Sequence, residues 1–394
     1  MDKVSTLQGF IPDPVVGKLP ASARVYVVGG AVRDALLGLT SIDKDWVVVG
    51  ATVNDMLSAC FTPVGADFPV FLHPGTHEEY ALARTERKSG PGYKGFTFHA
   101  DPTVTLEEDL ARRDFTVNAM AMSAEGELID PYGGLLDLQS KLMRHVSPAF
   151  VEDPLRVLRL ARFLARFLEF SVADETLELC CQLRDSGELK HLVAERVFAE
   201  LNKGMGEEKP FRMIKLLSKL NAWPELGGEP ALKFARVDDA ASKTVDQLSC
   251  AFDRWVYQLS HLGNKDAVDG LSKRWRIPKE IQQATVVFVE LNNFLSLDKP
   301  DASALGYVLE RVDLYRRPER LGDVCRIFRH AKGEHEELYR IHLAVEQVQS
   351  GQYKAWISKA IESAQPGASV ADVVANAKTK WVEHLFQNTL NQKQ

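Results

Sequence analysis

A pair of adjacent glycines near the N-terminus constrains the fold of this chain more than any other feature. Gly29 and Gly30 follow the apolar run 25–28 and precede the short segment 31–37. A buried strand, a tight turn and a helix account for this order. The apolar run 46–49 then predicts a second strand. The pattern therefore indicates a strand, turn, helix and strand in succession at the start of an α/β domain.

Two aspartates lie where the second strand begins. Asp43 and Asp45 are separated by one residue. Because side chains alternate along a strand, both aspartates are expected on one side of it, where they can share divalent cations. Acids beside such an apolar run disfavour folding unless a cation compensates them. We therefore predict a catalytic two-metal site with Mg²⁺ held by Asp43 and Asp45. An isolated Asp-x-Asp is usually a solvated turn, so the prediction depends on the neighbouring glycines.

The glycine turn is suited to an anion. Gly29 and Gly30 are predicted to leave backbone N–H groups free at the start of a helix, where the helix macrodipole also favours negative charge. A nucleoside triphosphate bound there would face the metals. A lone Gly-Gly before a helix is usually only a tight turn, and the aspartates supply the second argument.

The rest of the chain divides into a strand-rich and a helical part. Further strand candidates at 70–72, 80–83 and 119–123 precede residue 142, and helical periodicity prevails after Asp153. We therefore expect an α+β protein, with an α/β head built on a mixed sheet and an all-α remainder.

The net charge of the 394-residue chain is −6, which is a poor guide to nucleic-acid binding because local patches decide it. One predicted helix carries Arg156, Arg159, Arg162 and Arg166 within about a third of a turn. An apolar arc lies beside them, formed by Val157, Leu160, Ala161, Leu164 and Leu168. This helix should pack on one side and offer its arginines to an anion.

The chain lacks a recognisable signal peptide and any stretch of about 18 apolar residues, so no membrane association is expected. Its five cysteines are odd in number and lack zinc-finger spacing. We therefore expect a cytoplasmic protein whose cysteines are reduced.

Several blocks together resemble one family, the class II tRNA nucleotidyltransferases. This family includes the bacterial and eukaryotic CCA-adding enzymes and the bacterial poly(A) polymerases. The similar blocks, in chain order, are 29–34 with Asp43 and Asp45, 112–119, 130–138, 152–156 and 195–201. The resemblance implies that Gly29, Gly30 and Arg33 bind nucleotide and that block 195–201 is structural. It also implies three parts: a nucleotidyltransferase head at 1–142, a helical neck at 143–228, and a helical body and tail for tRNA binding at 229–394.

The second block has its own chemistry. Arg112 and Arg113 offer forked cationic donors for phosphate oxygens, and Asp114 and Asn118 can hydrogen-bond ribose hydroxyls. The alternative is a cluster on a solvated face at the start of a helix. We predict that all four residues bind nucleotide.

The fourth block contains an acidic and a basic residue three positions apart. Asp153 and Arg156 are expected to share a helix face and to present hydrogen-bonding groups to a nucleotide base. The resemblance implies that they act as a protein template that selects CTP and then ATP. The alternative is an ordinary surface ion pair. Arg159 and Arg162 are predicted to bind nucleotide from the same helix.

Glu79 falls where the resemblance places an additional catalytic acid. It could equally be an exposed strand residue that pairs with Arg84 or Arg87. The segment 85–105 that follows is rich in glycine and polar residues and is expected to be an irregular loop. In the resembling enzymes a shortened loop accompanies CC addition alone, so a loop of this length favours complete CCA addition.

The resemblance implies that tRNA, CTP and ATP are the partners of this chain. It leaves open specialists that add only CC or only the terminal A, and poly(A) polymerases. A non-catalytic RNA-binding protein is the third class. Some family members carry a phosphohydrolase domain marked by an adjacent His-Asp pair, but none of the ten histidines here precedes Asp. We therefore expect no functional hydrolase site in the tail, and the lone His261 is interpreted as structural.

Overall fold

The computed structural model describes residues 10, 12–40, 43–64, 69–88, 96–235, 239–333 and 335–391. The chain forms two compact units. The first unit contains Met1–Arg196 and Lys219–Glu225, and the second contains Val197–Ser218 and Leu226–Gln394.

The first unit contains the strands. They are β1 (Arg24–Val28), β2 (Asp45–Val49), β3 (Thr62–Pro63), β4 (Val70–Leu72), β5 (Glu79–Leu82), β6 (Thr85–Lys88), β7 (Phe96–His99), β8 (Ala121–Met122), β9 (Leu128–Ile129), β10 (Leu142–Met143) and β11 (Ser171–Val172). Among the described residues, seven strands form one sheet in the order β3-β4-β5-β2-β1-β8-β9. Only β2 and β5 pair in parallel within it, so the sheet is mixed as predicted.

Opposite faces of this sheet carry two apolar clusters. On one face Trp46 stacks on Tyr80, with ring centroids 5.4 Å apart. On the other face Val28 and Val47 belong to a cluster that includes Leu110. The alternation of side chains along β2 explains this division and places Asp45 on the same face as Val47.

The first unit also contains six α-helices in its described part. They are α1 (Gly30–Leu36), α2 (Val53–Ser58), α3 (Leu106–Ala111), α4 (Gly134–Gln139), α5 (Leu155–Arg166) and α6 (Asp174–Asp185). Capping boxes begin two of them, with Thr52 and Asp55 at α2 and Thr105 and Glu108 at α3. Each box satisfies backbone N–H groups that have no partner within the helix.

Helix α5 has the predicted division into a buried and a cationic side. Val157, Leu160, Ala161 and Leu164 are buried. Leu168 does not belong to this arc, because α5 ends at Arg166 and the Leu168 residue is 36% exposed.

Three other expectations need correction. The segment 85–105 is not wholly irregular, because β6 and β7 pair antiparallel from Thr85↔His99 to Lys88↔Phe96. The middle of that segment, 89–95, lies outside the described residues. The strand predicted at 119–123 is only Ala121–Met122, since a 3₁₀ turn occupies the preceding residues. Strand β11 interrupts the helical region by pairing with β10.

The helices after α6 are α7 (Ala194–Gly206), α8 (Pro210–Lys219), α9 (Trp223–Ala235), α10 (Asp239–Gln247), α11 (Ala251–Ser260), α12 (Lys265–Trp275), α13 (Lys279–Leu295), α14 (Ala302–Arg311), α15 (Pro318–Lys332), α16 (Glu336–Gln349), α17 (Gln352–Glu362) and α18 (Val370–Asn391). Most of their residues belong to the second unit. Among the residues described, no helix is both long and apolar enough to cross a lipid bilayer.

Aromatic residues fill the core of the second unit. Trp255 and Trp275 are fully buried, and the indole N–H of Trp275 donates to the carbonyl of Leu226 at 3.1 Å. His261 lies edge-on to Tyr257, with ring centroids 5.0 Å apart. These contacts are compatible with a structural role for His261.

Candidate active site

A cavity of about 730 Å³ lies within the first unit. It brings together thirteen residues that were predicted to bind metal or nucleotide, although they come from three separate blocks and from the helix that follows the last of them. These residues are Gly29, Gly30, Arg33, Asp43, Asp45, Arg112, Arg113, Asp114, Asn118, Asp153, Arg156, Arg159 and Arg162. Seven further residues line the cavity: Ala31, Asp34, Thr40, Leu155, Phe163, Arg166 and Arg196.

The two aspartates lie at one side of this cavity, but only Asp45 belongs to a strand. Asp45 is the first residue of β2 and pairs with Val28, directly before the glycine turn. Asp43 precedes the strand and is exposed. The prediction that both aspartates lie on the strand was therefore wrong for Asp43. Partial burial raises the pKa of Asp45, the Asp43 charge raises it further, and Arg113 opposes both effects.

Glu79 begins β5 and is the direct pairing partner of Asp45. Residues paired in this way point to the same face of a sheet, about 5 Å apart. Glu79 is exposed, and the described residues that line the cavity do not include it. One alternative partner, Arg87, lies outside the residues whose side chains are described. The structure thus places Glu79 beside the acid pair without assigning its role.

The acidic residues at this side of the cavity offer only oxygen atoms as metal ligands. In the part of the chain that the structure describes, no group of three or more histidine, cysteine, aspartate or glutamate side chains is arranged to hold a metal ion. The two cavity aspartates are nevertheless a sufficient protein contribution for Mg²⁺ at a phosphate-transfer site. There the ion takes one or two carboxylates, with phosphates and water as its other ligands.

Arg113 lies against the glycine turn. Gly29 has a φ of +71°, and a Cβ at this position would come within 2.8 Å of the nearer guanidinium nitrogen of Arg113. The backbone conformation favours glycine, and any side chain at this position would force the Arg113 guanidinium to shift. The Gly29 N–H donates to the carbonyl of Met120 at 3.1 Å. The prediction that the N–H groups of both glycines are free for an anion was therefore wrong for Gly29.

One buried carboxylate holds both arginines of the second block. Asp109 is fully buried, and its Oδ1 accepts from Arg112 at 2.8 and 3.1 Å. Its Oδ2 accepts from Arg113 at 3.4 Å. Burial raises the pKa of Asp109, but the two arginines and their hydrogen bonds outweigh it, so the pKa is lowered overall. The sequence analysis missed Asp109, although its spacing of three and four residues from the arginines on a helix is a usable signal.

Asp114 and Asn118 lie deeper in the cavity wall. Asn118 donates to Asp114 Oδ1 at 3.0 Å, and Arg159 donates to Asp114 Oδ2 at 2.8 Å. Burial alone would raise the pKa of Asp114, but Arg159, Asn118 and Arg156 hold it at about 2. The carboxylate is therefore ionised at any pH at which the protein functions.

The guanidinium of Arg162 lies 4.4 Å from the centroid of the Phe163 ring. Arg33 approaches the same ring at 5.2 Å. Stacking on an aromatic face orients a guanidinium while leaving its edge available for hydrogen bonds. Phe163 was not singled out from the sequence.

Asp153 and Arg156 both line the cavity, but they do not share a helix face. Asp153 precedes α5 in extended conformation, and its Oδ1 accepts from the N–H of Leu155 at 3.0 Å. Its Oδ2 accepts from Arg196 at 3.0 Å. Arg156 donates to the carbonyls of Ala149, at 3.0 Å, and Arg112. The pair therefore reaches the cavity from a helix cap and a first turn.

Arg196 is a second residue that the sequence analysis missed as a component of the site. It belongs to block 195–201, which was assigned a structural role only. Its side chain is 28% exposed, pairs with Asp153 and lines the cavity. A separation of 43 residues gave no local signal for this pair.

Comparison with family models gives two matches. Residues 25–144 match the Poly A polymerase head domain. Residues 169–228 match a model described as the probable RNA and SrmB-binding site of polymerase A. The first match contains both cavity aspartates and the second block, and the second match contains Arg196.

Named proteins are similar over most of the chain. A Multifunctional CCA protein from Azoarcus sp. (strain BH72) is 48% identical over 331 residues, which cover 75% of this chain and 80% of that protein. A CCA-adding enzyme from Pseudomonas putida (strain W619) is 48% identical over 324 residues, which cover 79% and 85%.

Solved structures share the fold. The Bacillus stearothermophilus CCA-adding enzyme in complex with CTP superposes with a TM-score of 0.68 at 23% identity, covering 100% of this chain and 99% of that one. A tRNA nucleotidyltransferase complexed with a primer tRNA and an incoming ATP analog gives a TM-score of 0.57 at 26% identity, covering 84% and 96%.

Proposed function

Because this chain belongs to the class II tRNA nucleotidyltransferase family, we propose that it builds or repairs the 3′-terminal CCA of tRNA from CTP and ATP. The chain is a nucleotidyltransferase. The observation that carries the proposal is the single cavity that contains an acid pair, a glycine turn and a set of arginines. The names of relatives at 48% identity support the same activity.

We propose that Asp43 and Asp45 hold Mg²⁺, with Glu79 as a neighbouring third acid. The raised pKa of Asp45 is compatible with this assignment, because desolvation and, to a smaller extent, the Asp43 charge disfavour its ionised form when no cation is bound. Bound Mg²⁺ would supply activation of the tRNA 3′-hydroxyl and neutralisation of charge on the α-phosphate. The aspartates themselves provide fixed oxygen ligands at the end of a rigid sheet.

Arg112 and Arg113 are proposed to receive the triphosphate beside the glycine turn. Asp109 holds both guanidinium groups, so their orientation is set before nucleotide binds. Donors that are fixed in advance stabilise developing charge without further reorganisation. Asn118 uses one N–H of its amide for Asp114, so the second N–H is proposed to donate to a ribose hydroxyl, with Asp114 beside it.

Asp153 and Arg156 are proposed to read the base, with Arg159 and Arg162 beside them. Asp153 is an acceptor and Arg156 is a donor, and both face the cavity that the acid pair also faces. A base edge that fits both groups is favoured over one that leaves either group unpaired. This arrangement would supply nucleotide choice without a nucleic-acid template.

The alternatives differ in product. A specialist would add only CC or only the terminal A, and a poly(A) polymerase would extend with adenosine alone. A non-catalytic RNA-binding protein has no need for the cavity aspartates. The named relatives favour complete CCA addition, since they are CCA-adding enzymes or a CCA protein.

The deciding experiment offers purified protein three tRNA primers: one without the terminus, one ending in the first C, and one ending in CC. Each is incubated with Mg²⁺ and CTP, ATP or both, and products are resolved on a sequencing gel. We expect CCA on the first primer and only A on the third. Addition that stops at CC, or long adenosine tails, would replace the proposal with the corresponding alternative.

We further propose that the helical second unit has no metal-dependent hydrolase activity, because no histidine of the chain precedes Asp. Phosphatase and 2′,3′-cyclic phosphodiesterase assays with Ni²⁺ or Mg²⁺ should give no turnover. Hydrolysis that is sensitive to chelators and persists in Asp43→Ala would contradict this.

A further inference from the structure

A ring of six side chains, linked by five hydrogen-bonded contacts, borders the cavity on its α1 side. Its six members, in order, are Arg166, Asp34, Arg33, Asn118, Asp114 and Arg159. Helix α5 closes the ring, because it carries both the first member and the last. The other four members come from α1 and from the segment 114–118.

Each contact in the ring is charge-assisted on at least one side, because each includes an arginine or an aspartate. Arg166 donates to Asp34 Oδ2 at 2.8 Å, and Arg33 donates to Asp34 Oδ1 at 2.7 and 2.9 Å. Arg33 also donates to the amide oxygen of Asn118. Charge-assisted hydrogen bonds of this length are stronger than neutral ones.

The burial of the ring differs between its two sides. Arg33 and Asp34 are 3% and 4% exposed, whereas the side chains of Arg159 and Arg166 are each 33% exposed. The interior members therefore depend on their partners, because an unpaired buried charge is costly. The α5 arginines can be altered with less damage to the core.

Two contacts on α5 restrict the movement of this helix more than one contact would. Arg159 and Arg166 are separated by seven residues, which is about two turns and about 10 Å along a helix. A single ion pair would let the helix pivot around it. Two pairs that lead back to one connected set of side chains fix its position and its direction.

We propose that Asp34 and Arg166 are positioning residues for nucleotide addition: through the ring they clamp α5 against α1, so that Arg156 and Arg162 stay aligned with the glycine turn. This proposal rests on the proposed function. Both oxygens of Asp34 accept from arginines of the ring, which favours a positioning role over contact with substrate. Asp34 and Arg166 contribute to the cavity wall; Asp34 was not assigned a role from the sequence, and Arg166 was expected only to face an anion with the other arginines of its helix.

The test is a double-mutant cycle with Asp34→Asn, Arg166→Met and both together, measured by kcat/KM for CTP and ATP and by thermal unfolding. We expect each single change to lower kcat/KM at least about tenfold at a temperature where the variant is folded, and the double variant to lose no more than the worse single. Misincorporation of UTP and GTP should rise. Additive losses, or wild-type kcat/KM in the folded singles, would overturn the clamp.

Arg166→Lys provides a second test of the clamp. Arg166 reaches Asp34 through one nitrogen, so a lysine ammonium can replace that contact, and kcat/KM should recover to within about threefold of wild type. Equal losses in Arg166→Lys and Arg166→Met would contradict the contact as its cause. Arg166 is partly exposed, so these two variants test the clamp even where Asp34→Asn does not fold.

Lys141→Met is the matched control. Lys141 pairs with Glu169 on the surface of the same unit, and its side chain is 48% exposed. We expect kcat/KM within about twofold of wild type, because exposed ion pairs contribute little. Wild-type protein that extends no tRNA would count against the proposed function. If the wild-type protein extends tRNA but the losses in the double-mutant cycle are additive, the result would count against the clamp alone.

Discussion

Asp45 of β2 and Glu79 of β5 are directly paired in the only parallel strand pair of the main sheet, within the described residues. Their side chains therefore leave the same face at neighbouring positions. An exposed acid beside a cavity acid adds negative charge to the same corner. The sheet, rather than a loop, thus sets the spacing between them.

Replacing Asp45 separates catalysis from stability. Folding raises the pKa of Asp45, so its ionised form at neutral pH costs folding free energy. Asp45→Asn should lower nucleotide incorporation at least about a thousandfold while the melting temperature stays equal or rises. Asp185→Asn, which alters an exposed acid paired with Arg184, is the control. Near wild-type incorporation by Asp45→Asn would refute the metal assignment.

Glu79 and Glu78 form a natural pair for comparison. They are adjacent on the chain, and Glu78 accepts a hydrogen bond from the indole of Trp46 at 3.0 Å. Glu79→Gln should raise the Mg²⁺ concentration for half-maximal activity by about threefold or more, because it removes charge beside the ion site. Glu78→Gln should leave that concentration unchanged. The same Mg²⁺ titration for both variants would remove Glu79 from the proposed site.

Gly29→Ala tests the close approach of Arg113 to the turn. The new methyl group would lie 2.8 Å from the arginine, on a backbone with positive φ. We expect a loss of about 1–2 kcal/mol in unfolding free energy and a larger KM for CTP, because Arg113 must move. Gly126→Ala, also at positive φ but with open space around its Cβ, is the control for backbone strain alone. Similar KM values for both variants would show that displacement of Arg113 is unimportant.

The base-reading assignment requires a substitution that keeps the helix cap. Asp153→Ala would remove the acceptor for the Leu155 N–H and cost about 1 kcal/mol in stability. Asp153→Asn retains that acceptor while it removes the negative charge that faces the cavity and pairs with Arg196. We expect Asp153→Asn and Arg156→Ala to raise UTP and GTP incorporation relative to CTP and ATP in competition assays on tRNA without its terminus. Unchanged selectivity in both would return these residues to a structural role.

Asp114 makes the stability of the fold depend on pH in the acid range. Its folded pKa of about 2 lies below the ordinary value of 3.8, so the ionised form stabilises the fold. That contribution, on the order of 2 kcal/mol, is present above pH 4 and is lost as pH falls toward 2. Urea unfolding between pH 6 and about 3 should show a smaller loss of stability for Asp114→Asn than for the wild type. Parallel pH curves would contradict the shifted pKa.

Local patterns predicted the features that depend on neighbouring residues. The glycine turn, the apolar part of β2 and the cationic side of α5 all follow from the alternation or helical period of a few residues. The sequence also indicated the position of Asp153 before the first turn of α5, because an Asp followed by Pro is a common beginning of a helix. Counting three residues from Asp153 to Arg156 was therefore the wrong rule there.

Contacts between distant segments could not be predicted in this way. Asp153 meets Arg196, and Asp34 meets Arg166, across 43 and 132 residues. Such pairs depend on how helices pack, and a single sequence carries no periodic signal for them. The pairing of β6 with β7 was missed because glycine and polar residues between them favoured an irregular loop.

The division of the chain between the two units has a consequence for its synthesis. The first unit includes Lys219–Glu225, although residues 197–218 belong to the second. Within the first unit, Arg184 donates to the carbonyl of Leu220 at 2.9 Å. On the ribosome, domains generally fold in the order in which they emerge. The unit that contains the cavity must therefore wait for residue 225 to emerge, and a gene shortened to codon 196 would encode an incomplete version of it.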